Sequence, residues 1–489
     1  MRPTVELVAL ALLLSLVSGC SPTPTPTPPP GPAPIAPSTG ILVVNMIPAS
    51  LSGETNQDSE PFLAVHSTNA QLMAASAFTP NPGGTTNGLA PIFVSQDGGR
   101  TWTLNNIVPS SGMTSDITHG FDAGGGGNLY AGILRLPGAL LLNELVAGNF
   151  TSAAPMSVLA SRNEVDQPFV AVTASAGADR IYVGNNDFNV TDGRTATVDV
   201  SLNGGGSWNA IRIESRATAG QDGPSIRPTV ARDGTVYVAY FGWRSFSGGI
   251  AVSDVVVVRD DVGASGSNSF QALTDTDGLP GRQVVRNITI PFSNAPTLGQ
   301  ERIGSTLSIA VDPNNSGTVY LAWADRVGTG DIYTIHVRRS TDRGARWSGD
   351  LRTITNATCV SLAVADNGTV GLLYQQVTGS GATSRWATHL EQTRDAFTTA
   401  QDTILATVPS ATPPVQFLPY IGDYNFLLAI GNEFRGVFSA NNTPDRTNFP
   451  HGVTYRRRHS FTTQTLLDAG DNPVSVSIDP FYFSVPVLR

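Results

Sequence analysis

Along the 489-residue chain, acidic and basic side chains recur just ahead of short apolar runs. Asp58 and Glu60 precede residues 61–65, Asp116 and His119 flank Ile117, and Glu164 and Asp166 precede residues 168–172. Arg227 stands before residues 228–231, Glu301 and Arg302 before 307–312, and Asp423 and Tyr424 close the series. Neighbouring carboxyl groups can act as acid and base in proton transfer. Guanidinium forks bind carboxylates in bidentate fashion. Glu60, Asp166, Arg227, Arg302, Asp423 and Tyr424 are therefore the candidate catalytic set. The plain alternative is that these charges cap strand ends and pair with one another around a wet channel.

The elements that position such residues are repeated. Residues 61–65, 168–172, 228–231 and 307–312 alternate small and branched side chains, as short strands do, and partner runs such as 235–240 and 318–323 follow some of them. Inner strands near 61, 117, 168, 228, 307, 359 and 417 recur about every 45–55 residues, the size of a four-stranded blade. A polar phrase follows three of these units. It reads Ser95-Gln-Asp97-Gly-Gly99-Arg-Thr-Trp102, Ser201-Leu-Asn203-Gly-Gly205-Gly-Ser-Trp208 and Ser340-Thr-Asp342-Arg-Gly344-Ala-Arg-Trp347. A worn copy carries Asp395 and Phe397. Asp or Asn can accept hydrogen bonds from its own turn, and glycine supplies positive φ, so two strands fold back as a hairpin.

These phrases resemble the Asp box of BNR repeats, found in sialidases and their relatives. The resemblance implies an all-β fold, a β-propeller of four-stranded antiparallel blades, with seven blades expected and six as the alternative. It covers residues 41–489 and is specific for fold. Ring closure is expected to use residues 41–46 and 474–478. Sialidases clamp a substrate carboxylate with arginines and use a Tyr/Glu nucleophilic pair with an acid/base Asp. Their opening aromatic-Arg-Ile-Pro motif is missing here, where the first inner strand reads Ser59-Glu60-Pro61-Phe62. Ile226-Arg227-Pro228 holds the right residue types in another order and another unit. The expected function is thus a surface propeller that binds extracellular glycan or protein without catalysis. An exo-acting, sialidase-like glycoside hydrolase and an envelope assembly factor are the alternatives.

The N-terminus indicates export. Arg2 precedes an apolar run from Leu7 to Val17, too short to span a bilayer, and Val17-Ser-Gly-Cys20 resembles a lipobox. Residues 1–19 are read as the signal peptide, Cys20 as the lipidated residue, and residues 20–40 as a Pro/Thr-rich tether extending ~3.1 Å per residue. The lipid would be the membrane's only hold, placing the body in the cell envelope, at the outer membrane or cell surface.

Charge and composition narrow the partners. Net charge is −9, charged residues make up 14%, and no lysine occurs, so all 29 basic residues are arginine. An acidic chain of this kind is not built for nucleic acid, and a monomer is expected. With Cys20 lipidated, Cys359 has no disulfide partner and reads as a buried structural thiol. No cofactor or catalytic metal is expected, because zinc, P-loop and Gly-x-Ser-x-Gly patterns are missing. Two Asp-rich turns, at Asp122 and at Asp275-Thr-Asp277-Gly278, are the only suggestions of structural Ca²⁺, with plain turns preferred.

Overall fold

A computed structural model describes residues 40–78, 90–108, 113–136, 142–152, 156–175, 177–190, 192–292, 301–327 and 332–489. Residues 1–19, expected to be a signal peptide, Cys20 and most of the Pro/Thr-rich stretch lie outside the described residues. No described helix is long and apolar enough to cross a membrane.

The described residues form seven four-stranded antiparallel sheets and one three-stranded sheet. Six of the seven follow chain order without crossovers. Their first strands are Ser59–Val65, Met113–Phe121, Val165–Ser175, Ile226–Val230, Leu307–Asp312 and Ala357–Val364. Each packs beside the first strand of the next sheet, and Phe426–Ile430 of the seventh returns to Ser59–Val65. The protein is a β-propeller, and these first strands surround its axis.

The last sheet is assembled from both ends of the domain. Phe426–Ile430, Glu433–Asn441 and Ile478–Pro486 come from the C-terminal part, and Leu42–Asn45 adds the outermost strand, pairing Leu42 with Ser484 and Asn45 with Phe481. Residues 41–46 therefore close the ring as expected, while of 474–478 only Ile478 enters the last sheet. Pro473–Val474 belongs to the three-stranded sheet inserted between Glu433–Asn441 and Ile478–Pro486. The last inner strand also begins later than 417. The carbonyls of Phe417, Pro419 and Tyr420 are taken by the Gln57 side-chain amide rather than by a ladder, so that segment is a connection.

Polar groups lock the seam. Arg457 is fully buried and donates to Glu54 O at 3.0 Å and to Asp479 Oδ2 at 3.2 Å, while Asn45 Nδ2 reaches the same Asp479 oxygen at 2.7 Å. A buried guanidinium is tolerable only when so paired. Large apolar side chains supply the bulk of the stability elsewhere, with Trp243, Trp323 and Trp386 all fully buried between sheets.

The repeated polar phrases are the turns joining third to fourth strands. In the first, Gly99 N donates to Ser95 Oγ (2.9 Å), Thr101 N to Asp97 Oδ1 (2.9 Å), and Trp102 Nε1 to Gly99 O (3.0 Å). The same bonds recur at Ser201, Asn203, Gly205 and Trp208, and at Ser340, Asp342, Gly344 and Trp347. Gly99 has φ +85°, and a Cβ there would stand 2.1 Å from the Tyr482 ring of the last sheet, so only glycine lets this turn press on its neighbour. The fourth copy needs a correction. Phe397 N donates to Thr393 Oγ1 and Phe397 has φ +65°, which puts Phe397 in the glycine slot, while Ala400 follows Thr399 in the tryptophan slot.

Asp479→Ala leaves Arg457 buried without its carboxylate and is expected to cost about 3–5 kcal/mol in urea unfolding. Asp97→Ala, which removes turn bonds at a half-exposed site, is expected to cost about 1 kcal/mol. Equal losses would contradict the seam's special role.

Candidate active site

The strands of each sheet alternate in direction, so the starts of the inner strands share one face of the ring and the polar turns lie on the other. The sequence-derived candidates sit at those starts, and a local distortion aims two of the chain segments inward. The pairing of Ser59–Val65 with its neighbour shifts register between Ser59 and Phe62, and that of Val165–Ser175 shifts between Asp166 and Phe169. At these bulges Glu60 (φ +54°) and Gln167 (φ +47°) adopt left-handed backbone, each followed by a proline that has no ladder N–H to lose. Non-glycine residues held at positive φ are strained, and such strain tends to persist where it positions functional groups.

All six candidates meet around the axis. Arg302 grips Asp423 in a bidentate pair, with Nε 2.6 Å from Oδ1 and Nη2 on Oδ2. Gln167 Nε2 donates to the same Asp423 Oδ2 at 2.9 Å and to Ser305 Oγ at 3.2 Å, and its backbone N–H caps Asp166 Oδ1 at 2.8 Å. Asp423 N lies 3.3 Å from Glu60 Oε1. Gly422 makes that approach feasible, because a Cβ on it would fall 2.4 Å from Glu60 N. Arg227 lies over the Phe169 ring at 4.2 Å and the Tyr424 ring at 5.4 Å, with Nη2 3.5 Å from Ser305 O. No carboxylate oxygen is within ion-pair distance of Arg227 among the described residues.

Burial shapes the electrostatics. Desolvation pushes the Glu60 carboxyl well above its usual range, with Asp116 and Asp423 adding to the push. It raises Asp116 to about 6 and Asp166 to about 7. Glu60 and Asp116 contact each other carboxyl to carboxyl, an arrangement that holds only if one of them keeps a proton to donate. The same desolvation lowers Arg227 to about 10 and lifts the Tyr424 phenol, whose hydroxyl faces Asp116. The mouth thus combines a carboxyl protonated near neutral pH, a second that ionises below it, a phenol and two guanidinium groups. That is a set able to transfer protons to and from a bound oxygen.

Other expected mouth residues lie elsewhere. Glu164 is exposed, Asp58 joins the seam with Glu54 and Asp479, and His119 sits one layer down against Phe62. Burial drops His119 to about 3, and neither ring nitrogen finds a hydrogen-bond partner. Phe62, Phe169 and Phe426 form an aromatic floor, Phe62 and Phe426 being stacked at 3.8 Å. Beyond it a channel of about 530 Å³ runs between residues such as Ala64, Ala171, Ala310 and Ala363. Glu301 is fully buried and accepts the Ile421 backbone N–H, so it anchors the last connection.

Gln167 was absent from the sequence-derived set, although the phrase Gln167-Pro-Phe-Val-Ala-Val repeats Glu60-Pro-Phe-Leu-Ala-Val and could have placed it. The Asp-rich turns spend their carboxylates internally. Asp122 accepts Gly126 and Gly127 N–H, Asp275 accepts Arg282 and Arg286, and Asp277 pairs with Arg216. Glu54, Asp58 and Asp479 present oxygens within 4.8 Å of one another, and the Arg457 guanidinium supplies a countercharge there.

No protein-family model matches the chain, and no curated protein matches it. An α-L-arabinofuranosidase of Fusarium graminearum is 12% identical over 91% of this chain and 97% of its own, with a TM-score of 0.44. A PL25 ulvan lyase is 11% identical over 79% of this chain and 92% of its own, TM-score 0.48. An α-L-arabinanase of Penicillium chrysogenum is 14% identical over 90% and 97%, TM-score 0.37.

The raised carboxyls set a sign for stability. A folded pKa above the unfolded value means the folded chain holds protons that the unfolded chain has released. The contribution of Asp116 and Asp166 is therefore complete below about pH 4 and is lost as pH rises through about 6 and 7, and Glu60, raised in the same direction by burial, adds to the loss. The melting temperature is expected to fall between pH 5 and pH 8, and to fall less in Glu60→Gln. A rise over that interval would contradict the assignment.

Proposed function

We propose that this chain is an exported, lipid-anchored propeller of the Asp-box, sialidase-like superfamily that hydrolyses glycosidic bonds of extracellular glycans at its carboxyl-lined mouth. The observation that carries this reading is the trio Glu60, Asp116 and Asp166, packed together at the axis with their carboxyls pushed upward. Asp166, the most exposed of the three, is the general acid that protonates the departing oxygen. Asp116, ionised above about pH 6, faces the positive charge developing at the anomeric carbon, with the Tyr424 hydroxyl against it, and a water that gives its proton back to the Asp166 carboxylate then forms the new C–O bond at that carbon. Glu60 retains the proton shared with Asp116. Arg302 and Asp423 hold the connection that carries Tyr424, and Arg227 fixes the aromatic floor. The Cys20 lipid and the Pro/Thr-rich tether would present a monomeric body outside the cell.

A second reading is a propeller that binds glycan or protein without catalysis. It draws support from Arg302, whose fork is closed on Asp423 and so is not free to clamp a substrate carboxylate.

Full-length protein incubated with a panel of polysaccharides and glycoconjugates, with released sugars scored by mass spectrometry, decides between them. Cleavage is expected. Asp116→Asn and Asp166→Asn should each lower kcat by about 10²–10⁴-fold without loss of the folded state. Retention of sugars without cleavage would establish the binding reading instead.

A further inference from the structure

The fourth sheet stands taller than its own inner strand. That strand starts at Ile226, which pairs with Tyr240 of the neighbouring strand Val236–Ser247. Residues 241–247 therefore run on past the inner strand's start, on the face of the ring that holds the mouth, rising about 3.3 Å per residue. Gly248 and Gly249, at φ +58° and +76°, turn the chain back into Ile250–Asp260. The projecting strand is braced by the segment that leads into Ile226. Gly223 N donates to Phe241 O at 2.9 Å, and Ala219 N donates to Trp243 O at 2.8 Å. The result is a firm wall beside the mouth.

A bulge decides what this wall presents. The pairing shifts register between Trp243 and Ser245, which makes Arg244 the extra residue. Its guanidinium is pinned by Glu214 at 3.0 Å and by Asp254 at 2.8 Å. Without the extra residue, Trp243 and Phe246 would lie on opposite sides of the sheet. With it they share one side, and their rings stack with centroids 4.9 Å apart and planes 15° from parallel. Trp243 is fully buried, whereas Phe246 is 41% exposed. From Trp243 the aromatic row continues inward. Phe292 meets Trp243 edge to face at 5.5 Å, and the Arg302 guanidinium lies 4.8 Å from the Phe292 ring. Arg302 is the group that grips Asp423 at the mouth. A single exposed phenylalanine is ordinary on a protein surface. Phe246 differs in that it ends a fixed row of rings that starts at the site. A ring backed on one face and open to water elsewhere is a surface for another apolar face, and the C–H face of a sugar ring is one.

We propose that Phe246 is a stacking platform for a sugar unit next to the one held at the mouth, so that the substrate is an oligosaccharide or polysaccharide lying along the fourth sheet. The proposal rests on the mouth being the glycan site proposed above. The contacts from Arg302 through Phe292 and Trp243 to Phe246 span a few sugar units, so a lone terminal sugar at the mouth does not reach the platform.

The test uses the full-length protein and its Phe246→Ala and Phe246→Tyr variants. The substrates are the polysaccharide that the wild type cleaves fastest and the 4-methylumbelliferyl glycoside of the same sugar. Phe246→Ala is expected to raise KM for the polysaccharide about 3–10-fold with kcat nearly unchanged, and to leave the small glycoside unaffected. Phe246→Tyr, which keeps a ring, should behave as wild type, and all three proteins should melt at the same temperature. Equal losses on both substrates, no loss on either, or cleavage of the small glycoside alone would overturn the proposal while leaving hydrolysis standing. If nothing is cleaved, electrophoresis through gels containing each polysaccharide reads the platform directly. Retardation that weakens in Phe246→Ala and returns in Phe246→Tyr would uphold the platform and remove the hydrolytic reading. Equal retardation of wild type and Phe246→Ala, or none, would overturn the proposal.

Discussion

Ring closure is the constraint on which the rest depends. Seven sheets place their inner strands around one axis only if the last sheet is completed, and the chain completes it by lending Leu42–Asn45 to the C-terminal strands. That strand brings Asn45 to Asp479, and Asp479 in turn receives the fully buried Arg457. The seam also holds the Gln57 side chain, which gathers the carbonyls of the connection leading to Asp423 and Tyr424. Closure and site are thus mechanically joined. The segment that seals the ring is the one that delivers two mouth residues.

At the mouth a second constraint follows from burial. Bringing Glu60, Asp116, Asp166 and Asp423 to one axis costs desolvation, which two guanidinium groups offset only in part. The remainder is met by protons, held near neutral pH on groups that in water would have lost them. Bulges with positive φ at Glu60 and Gln167 add backbone strain at the same place. Strain and retained protons raise the energy of the folded state without helping the ring to form, which is the pattern expected of residues placed for chemistry.

Much of this was legible in the residues. The alternation of small and branched side chains gave the inner strands, and the Ser-x-Asp-x-Gly phrases gave the turns, because both patterns are local. Errors arose where partners distant in sequence decided the outcome. Residues near 417 look like a strand start until Gln57, some 360 positions away, takes their carbonyls. Phe397 of the worn copy stands in the slot glycine fills elsewhere, its N–H on Thr393, which the run of residue types alone does not show. The six site candidates do converge, since each stands at the start of an inner strand. Which arginine is closed on a carboxylate and which is wedged between rings depends on contacts across blades that no spacing encodes.

The central claim is that carboxyls at this mouth carry protons near neutral pH, ready for transfer to a bound oxygen. Its most direct test is a pH titration of the protein labelled with ¹³C at aspartate side-chain carboxyls, followed by NMR and assigned through Asp116→Asn and Asp166→Asn. The account predicts that Asp166 titrates near 7 and Asp116 near 6. Titration of both near the ordinary aspartate value of about 4 would contradict it.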